Sequence, residues 1–542
     1  MRANNENPST GRTKATSLAR LPLVLAAVAA AVSMASVADA AQRSESSGGG
    51  KVTTGGGKIS TSVVVTPGSK GKGSSGNIGG GGGRVTGGGD KKPGDNDHPR
   101  KPRWPRHPII VGTPPAIGAA TTPALGVVNP RLNLGGGGPS GPQFVPNGNG
   151  VPPAGEQRYV PDEVLITLAA NTPAATVNAL AQRLNLNRVE SFDSNGVTLF
   201  RWKIPDRRSV PAVIRSLQAQ GRGIVLAAQP NYLYQLQEQP RPPGEQQVAP
   251  LSAGDPAQYA LAKLRLPQAH TLAKGDKVLI AVIDSAIDTA HPELVGMVAN
   301  TYDALGEKPH VHGTAVAGAI VAHAKLMGAA PQARILGVTA FGATENSAEG
   351  TTYNIVKGMD WAVAQGARII NMSFAGPRDP ELERKMADAR KRGIVLIAAA
   401  GNAGPKSEPL YPAADPNVIA VTATDADDKL FADANRGRHI AVAAPGVDIL
   451  LPAPEATYQV ISGTSFAAAE VSGIVALMLE RKPSLGQDGV RRALTATAQD
   501  LGPKGFDTQF GAGLVDAYRA IVSLGPATAE TTGRRIPAAA RQ

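Results

Sequence analysis

From about residue 278 the chain alternates short apolar runs with helical patterns, and this alternation restricts the fold more than any other feature. The apolar runs predict strands at 278–284, 334–339, 368–373, 394–400, 418–424 and 440–444. The segments that follow them predict helices at 312–324, 352–365, 380–391, 465–480 and 485–498. Strands that are apolar throughout and alternate with helices form parallel sheets covered on both faces. The sequence therefore predicts an α/β fold with a doubly wound, mostly parallel sheet.

Residues 41–155 have a different composition, with 30 glycines and 15 prolines. This share exceeds the roughly 25–30% above which a segment without a period counts as low-complexity. Such a segment cannot bury enough apolar surface to offset the entropy of ordering, so we expect a disordered linker. We expect the tail 525–542 to be disordered as well.

The net charge of +12 lies almost entirely in the N-terminal part of the chain. Residues 1–155 hold 17 Lys and Arg against 6 Asp and Glu, whereas the remainder holds 38 against 37. An enzyme that acts on nucleic acids normally carries basic charge on its folded surface. The distribution therefore predicts no nucleic-acid partner and favours a solvated linker, although a basic tail can also adhere to an acidic envelope or another polyanion.

Residues 1–40 combine a basic start, an apolar run at 21–37 and the sequence Ala-Asp-Ala at 38–40. This pattern is typical of a cleaved secretory signal, so we expect a secreted or periplasmic protein. No later stretch has the ~18 apolar residues of a membrane span, which predicts no stable span after signal cleavage. If the signal is not cleaved, the run at 21–37 tethers the protein to the membrane.

A small α+β module is predicted between the linker and the parallel sheet, at residues 156–240. Strands are expected at 159–168, 196–204 and 224–234 and helices at 173–184 and 210–220, with room for another strand near Val189. This order is typical of a small α+β sandwich. The alternative is an unrelated small binding domain.

The sequence thus divides into five predicted domains. They are the signal segment at 1–40, the linker at 41–155, the small α+β module at 156–240, the parallel-sheet domain at 241–524 and the tail at 525–542.

An acid, an imidazole and a hydroxyl stand at the ends of predicted elements. Asp284 ends a strand, whereas His312 and Ser465 each open a helix. A serine hydroxyl becomes a nucleophile when a histidine takes its proton, and a carboxylate fixes the histidine tautomer and stabilises its cation. Each residue alone has an ordinary explanation, as a strand-end acid, a core histidine or a helix N-cap. Together they favour a catalytic triad.

The strings around these residues resemble those of the subtilisin-like serine proteases. They are 282–285 (Val-Ile-Asp-Ser), 312–318 (His-Gly-Thr-Ala-Val-Ala-Gly) and 462–467 (Ser-Gly-Thr-Ser-Phe-Ala), in the family's order Asp, His, Ser. The resemblance covers about 240–524 and implies a serine endopeptidase that acts through an acyl-enzyme. Residues 156–240 resemble the family's propeptide, which implies an intramolecular inhibitor that the enzyme removes by cutting between Tyr234 and Pro250.

The resemblance also implies a role for Asn402, which follows the predicted strand 394–400 in the string Ala-Ala-Ala-Gly-Asn. The family's Asn at this position donates its side-chain amide to the oxyanion of the reaction. The alternative is an ordinary turn-forming Asn beside glycine.

Two further strings resemble the edges between which the family holds its substrate. An extended peptide between two such edges gains main-chain hydrogen bonds whatever its sequence, so protein or peptide substrates are the expected partners. The implied substrate-binding residues are Ser373, Phe374, Ala375 and Gly376 on one edge and Ala348, Glu349 and Gly350 on the other.

The sequence departs from the family pattern at several positions. Ala286 replaces a glycine, Ala315 a second histidine, and Glu470 the histidine of a Pro-His pair. The loop at 324–327 is too short for the family's usual calcium site and has no oxygen ligands. No cofactor is expected, and no metal, since His310 and His312 have no third ligand at a suitable spacing.

Two other functions compete with a serine endopeptidase. The departures from the family pattern suggest an inactive protein, and a serine nucleophile is also used by esterases. A silent scaffold of the subtilisin fold is one alternative, but such a protein has no reason to keep all four reacting residues. An esterase is the other, and it requires a Gly-x-Ser-x-Gly elbow that Ser465 lacks.

Overall fold

The computed structural model of the chain describes residues 150–236, 257–345 and 347–526, together with the backbone of residues 239 and 240. The predicted signal peptide lies outside these ranges. So do all but the last six residues of the predicted linker and all but the first two of the predicted tail. The predicted domain boundaries remain predictions.

The N-terminal module is a four-stranded antiparallel sheet with two helices, in the strand order β2-β3-β1-β4. The predicted elements are present, including a strand at Val189. The elements are β1 (Tyr159–Ala169), α1 (Ala174–Arg183), β2 (Asn187–Ser194), β3 (Val197–Lys203), α2 (Val210–Gln220) and β4 (Val225–Leu236).

This small sheet buries both of its faces. Successive side chains of a strand point to opposite faces, and β1 has apolar residues on both. Val164 and Ile166 pack with Trp202 in the module's own core under α1 and α2. Leu165 and Tyr234 belong to a second core that includes residues of the downstream domain. The module is therefore packed against the domain that follows it.

The rest of the described chain carries the larger sheet and most of the helices. Its elements are β5 (Gln239–Pro240), α3 (Tyr259–Lys263), α4 (Leu266–Ala269), β6 (Leu279–Asp284), β7 (Val298–Asp303), α5 (Val311–Val321), β8 (Arg334–Thr339), β9 (Phe341–Ala343), β10 (Ala348–Thr351), α6 (Thr352–Ala364), β11 (Ile369–Met372), β12 (Phe374–Ala375), α7 (Pro380–Lys391), β13 (Val395–Ala399), β14 (Ile419–Thr424), β15 (Ile440–Pro445), β16 (Ile449–Ala453), β17 (Thr457–Ser462), α8 (Thr464–Arg481), α9 (Gln487–Thr497) and α10 (Ala517–Val522).

The larger sheet has seven strands in the order β15-β14-β13-β11-β6-β8-β7, and each neighbouring pair is parallel. Six of the seven strands lie where the apolar runs predict them. The seventh, β7, is mostly polar and exposed at the sheet edge, so its sequence gives no apolar run. Among the described residues no helix is long and apolar enough to cross a membrane.

Helices cover both faces of this sheet, as a doubly wound fold requires. In the interior strand β6, Ile280 and Val282 belong to the core formed with α5 and α8. Ala281 and Ile283 belong to the core formed with α6 and α7. Ligands of such folds bind beyond the carboxyl ends of the strands. Asp284, the last residue of β6, lies at that end.

Helix α5 ends at Val321, three residues earlier than predicted. The backbone N–H groups of residues 323–326 donate to the carboxylate of Glu293 at 2.8–3.2 Å instead of continuing the helix. Tyr458 also donates to this carboxylate, at 2.9 Å. The buried Glu293 thus holds the short loop that follows α5.

Candidate active site

Asp284 and His312 form a buried hydrogen-bonded pair. Nδ1 of His312 lies 2.8 Å from Oδ1 and 3.0 Å from Oδ2 of Asp284. Neither side chain is exposed. An Nδ1–H that donates to the carboxylate leaves Nε2 as the basic nitrogen of the ring. Strand β6 and helix α5 therefore present an imidazole of one tautomer at the carboxyl edge of the sheet.

Ser285 holds the two elements together beside this pair. Its backbone N–H donates to Oδ1 of Asp284 at 2.7 Å, and its Oγ accepts from the N–H of Gly313 at 3.0 Å. A Cβ at Gly313 would come within 2.3 Å of the Ser285 carbonyl oxygen. Glycine at 313 therefore allows the first turn of α5 to approach the end of β6 closely. Alanine at position 286, where the resembling family has glycine, does not prevent the hydrogen bond between Asp284 and His312.

Ser465 lies in the first turn of α8, at the same edge of the sheet. Its Oγ donates to the carbonyl oxygen of Ser373 at 3.1 Å, and the Oγ of Ser373 donates to the carbonyl oxygen of Ser465 at 3.0 Å. The next residue, Phe466, lies against the His312 ring with a centroid separation of 5.7 Å. The structure therefore brings the predicted serine close to the Asp284–His312 pair.

Asn402 reaches the same helix start from the loop after β13. Its Oδ1 accepts from the backbone N–H of Thr464 at 3.2 Å and from the Thr464 hydroxyl at 2.8 Å. The Thr464 hydroxyl in turn accepts from the N–H of Gly401 at 3.1 Å. Because Thr464 holds the oxygen end of the amide, the orientation of its donor end, Nδ2, is determined.

Strand β4 of the N-terminal module lies between the two predicted substrate edges. On one side β10 pairs with it antiparallel, with Gly350 opposite Tyr234 and Glu349 opposite Gln235. On the other side β12 pairs with it antiparallel, with Ala375 opposite Gln235 and Phe374 opposite Leu236. The edges predicted to hold an extended peptide therefore hold a segment of the chain itself.

The chain also pairs with the strand that leads to Ser465. Gln239 lies opposite Ser462 and Pro240 opposite Ile461, in an antiparallel pairing of β5 with β17. Only residues 237 and 238 separate this pairing from the end of β4. The described backbone thus enters the site along β10 and β12 and continues along β17.

Side chains of β4 also contact the N-termini of two helices. Oδ1 of Asn231 accepts from the N–H of Tyr353 in α6 at 3.1 Å, and Oε1 of Gln229 accepts from the N–H of Glu381 in α7 at 2.9 Å. The first N–H groups of a helix have no partner within it, so such contacts satisfy them. They anchor the module on α6 and α7.

Comparisons with known proteins identify the family of the chain. The Subtilase family matches residues 275–513. Thermitase of Thermoactinomyces vulgaris is 34% identical over 274 residues, which are 49% of this chain and 95% of thermitase. The chain belongs to the subtilase family. Subtilisin Savinase of Lederbergia lenta is also 34% identical, over an alignment that covers 48% of this subtilase and 97% of Savinase. The protein is a serine endopeptidase.

The N-terminal module of this subtilase matches the family of the fervidolysin N-terminal prodomain over residues 146–231. A solved structure with a similar fold is fervidolysin of Fervidobacterium pennivorans, described as a keratinolytic enzyme related to subtilisin. The similarity has a TM-score of 0.57 at 24% identity and covers 68% of this chain and 62% of fervidolysin. The module is therefore a prodomain, as the sequence predicts.

One departure from the family pattern has an electrostatic consequence. Glu470 is almost fully buried in α8, and its Oε2 has no hydrogen-bond partner among the described residues. Burial raises the pKa of Glu470 to about 8, well above the ordinary value of 4.5. The side chain is therefore mostly neutral near pH 7.

Three residues support this site without having been assigned a role from sequence. Ser285 and Thr464 lie inside the strings that resemble the family, but their hydrogen bonds to Asp284 and Asn402 depend on how the loops fold. Asp379 has no such signal. It lies at the start of α7 and becomes part of the cleft through contacts with Gln229, Tyr234 and Thr352. In the described part of the chain no group of three or more His, Cys, Asp or Glu is placed to hold a metal ion.

Proposed function

We propose that this subtilase is an exported serine endopeptidase that removes its own prodomain and uses Asp284, His312, Ser465 and Asn402 in catalysis. The observation that carries the proposal is the pairing of β4 with both β10 and β12. A peptide held in this way is in the extended conformation that a protease cuts. The residues around it supply a base, a nucleophile and an oxyanion donor.

In the proposed reaction, Oγ of Ser465 attacks the carbonyl carbon of the scissile bond while Nε2 of His312 takes its proton. Asp284 accepts from Nδ1 and stabilises the imidazolium that forms. Nδ2 of Asn402 and the backbone N–H of Ser465 donate to the oxyanion. The imidazolium then protonates the leaving amine, and water hydrolyses the acyl-enzyme in the reverse sequence of proton transfers. Removing one side-chain donor to the oxyanion in subtilisin costs on the order of 10²–10³ in turnover, and we expect a similar loss for Asn402→Ala.

Ser373, Phe374, Ala375 and Gly376 on one edge and Ala348, Glu349 and Gly350 on the other are the proposed substrate-binding residues. Before processing, β4 occupies these edges and excludes any other peptide. The prodomain is therefore proposed to inhibit the enzyme until it is cut. The same edges then hold protein or peptide substrates through main-chain hydrogen bonds.

The strand pairings before and after residues 237 and 238 limit the possible positions of the self-processing cut. Leu236 is the last residue paired with β12, and Gln239 is the first paired with β17, which runs on to Ser465. The cut is proposed to fall at one of the three peptide bonds between these two residues. This position lies inside the window from Tyr234 to Pro250 that the sequence predicts.

The signal peptide that the proposed export requires, at residues 1–40, lies outside the described residues. Export is supported by the sequence pattern of this segment. N-terminal sequencing of the Ser465→Ala protein, which keeps its prodomain, from the medium or periplasm of an expressing host tests it. Loss of residues 1–40 is the expected result, and full-length protein in the cytoplasm would contradict export.

Intact-mass analysis of Ser465→Ala beside the parent chain tests self-processing. We expect the parent to yield a mature species beginning at residue 237, 238 or 239, and Ser465→Ala to accumulate as the precursor. Ser472→Ala is the matched control, because Ser472 is a buried serine of the same helix that bonds Asn371 and not the proposed reacting groups. Normal processing of Ser465→Ala in a host without other proteases would refute the proposal.

A further inference from the structure

Tyr234 is the most enclosed side chain that β4 places in the cleft. It is fully buried, and its ring packs edge-on against Phe374 with centroids 5.5 Å apart. A Cβ at Gly376 would lie 2.4 Å from Cδ1 of this ring. The missing side chain at Gly376 therefore makes the space that the phenol ring occupies.

The phenol hydroxyl reaches a buried carboxylate at the end of this space. It lies 3.2 Å from Oδ2 of Asp379 and 3.3 Å from the carbonyl oxygen of Pro377. Oδ2 also accepts from the hydroxyl of Thr352 at 2.6 Å. The space thus has an aromatic wall and a hydrogen-bond acceptor at its end.

The other oxygen of Asp379 has a structural task. Oδ1 accepts from the N–H groups of Glu381 and Leu382 at 2.9 and 3.1 Å, which caps α7. It also accepts from Nε2 of Gln229 at 2.7 Å. The helix cap holds the carboxylate in place, so that Oδ2 is the oxygen presented to the cleft.

We propose that Asp379 determines specificity in the processed enzyme, by making the cavity that Tyr234 occupies prefer tyrosine over phenylalanine in a substrate. The inference rests on the proposed function. A substrate strand that pairs with Gly350 and Ala375 in the register of β4 places one side chain in this cavity. A phenylalanine there would leave a buried acceptor without the donor that a tyrosine supplies, and sites of this kind discriminate strongly between such pairs.

A basic side chain is the other chemistry that a carboxylate can attract. The contacts favour a phenol, because the cavity is shaped by the ring of Phe374 and by Gly376, and the occupant that fits it is a tyrosine. Oδ2 of Asp379 also already accepts a hydrogen bond from the hydroxyl of Thr352. An arginine substrate is therefore included in the test as the competing chemistry.

The test uses synthetic peptides with the sequence of residues 229–243 and the processed wild-type enzyme. Tyr232 is replaced by alanine in every peptide, so that position 234 is the one aromatic position. This position carries tyrosine, phenylalanine, O-methyltyrosine or arginine. We expect kcat/KM for tyrosine to exceed that for phenylalanine and for O-methyltyrosine by about tenfold or more, since only tyrosine donates a hydrogen bond. Equal values for tyrosine and phenylalanine, or a higher value for arginine, would overturn the proposal.

A variant enzyme assigns the preference to Asp379. In Asp379→Asn the amide oxygen can take the place of Oδ1 among its three donors, which puts the NH₂ group toward the phenol. The phenol then loses its charged acceptor and can only accept from this NH₂ group or donate to the carbonyl of Pro377, so the ratio of kcat/KM for tyrosine to that for phenylalanine should fall severalfold. Asp516→Asn is the matched control, because Asp516 caps α10 by accepting from the N–H of Arg519. A tyrosine preference of unchanged size in Asp379→Asn would overturn the assignment.

A measurement without catalysis separates this inference from the proposed function. In the Ser465→Ala precursor, Tyr234 stays in its cavity, so Tyr234→Phe, Asp379→Asn and the double variant form a double-mutant cycle. We expect the two shifts in unfolding temperature to be non-additive, because both changes act on the same contact. Additive shifts would overturn the proposed contact. If the active chain cuts none of the peptides, the proposed function fails, and the cycle still decides on Asp379.

Discussion

Glu470 provides the sharpest test of how burial controls this enzyme's stability. Its pKa is raised to about 8 in the folded protein because burial disfavours the charged form. In the unfolded chain the carboxyl has its ordinary pKa of 4.5. Between these two pH values the unfolded state loses a proton that the folded state keeps. The free energy of unfolding should therefore fall as the pH rises from about 4.5 to about 8, and level off above that range.

The size of this loss follows from the two pKa values. Each pKa unit corresponds to ~1.4 kcal/mol, so the full difference gives an upper value of ~5 kcal/mol at alkaline pH. Native domains are stable by only about 5–15 kcal/mol, so the effect is easily measured. Glu470→Gln has nearly the same shape and no ionisation. It should remove most of this pH dependence and become more stable than the parent as the pH rises above about 5.

The assay is thermal unfolding between pH 5 and pH 9, in the Ser465→Ala background so that self-digestion does not interfere. Other buried carboxyls contribute equally to both proteins and cancel in the difference between them. Glu408→Gln is the control, because Glu408 is exposed. If the unfolding temperature of Glu470→Gln falls by as many degrees between pH 5 and pH 9 as that of its parent, the argument from burial is wrong.

Three further outcomes are expected. A chain that begins near Glu156 should keep its activity on a small peptide, because the Gly-rich segment has no part in the chemistry; loss of most activity would show otherwise. Ala375→Gly should relax a preference for small or unbranched apolar side chains over large aromatic ones at the subsite it lines, by ~1–3 kcal/mol in a library profile, since it removes one methyl group from the wall. Glu293→Gln should lower the unfolding temperature by the equivalent of at least ~2 kcal/mol, because it disturbs the buried hydrogen bonds to residues 323–326.

The elements that the sequence predicts well are those with strong local patterns. The strands ending at Asp284 and Thr339 have apolar, buried interiors, and the structure places their C-terminal ends where predicted. Strand β7 is missed because an edge strand needs no apolar face on its exposed side. The early end of α5 is missed for a different reason. The amides that follow it donate to Glu293, which is 30 or more residues away in the chain, and no local pattern reveals such a contact.

The candidate site divides in the same way between local and long-range information. Asp284, His312 and Ser465 can be predicted because each lies in a characteristic string, and elements in a parallel sheet bring their ends to one edge. Asp379 cannot be predicted because its place in the cleft depends on Gln229 and Tyr234, which are about 150 residues earlier.

Strand β4 of the prodomain makes two kinds of contact with the rest of the protein. Its strand β4 reaches the cleft edges through Tyr234 and the helix starts through Gln229 and Asn231, so one strand both occupies the site and anchors the module. A cut after Leu236 would separate β4 from β5 but leave the contacts of Gln229 and Asn231 intact. We therefore expect the proposed processing and the release of the prodomain to be separate steps, with the hydrogen bonds at the starts of α6 and α7 opposing release.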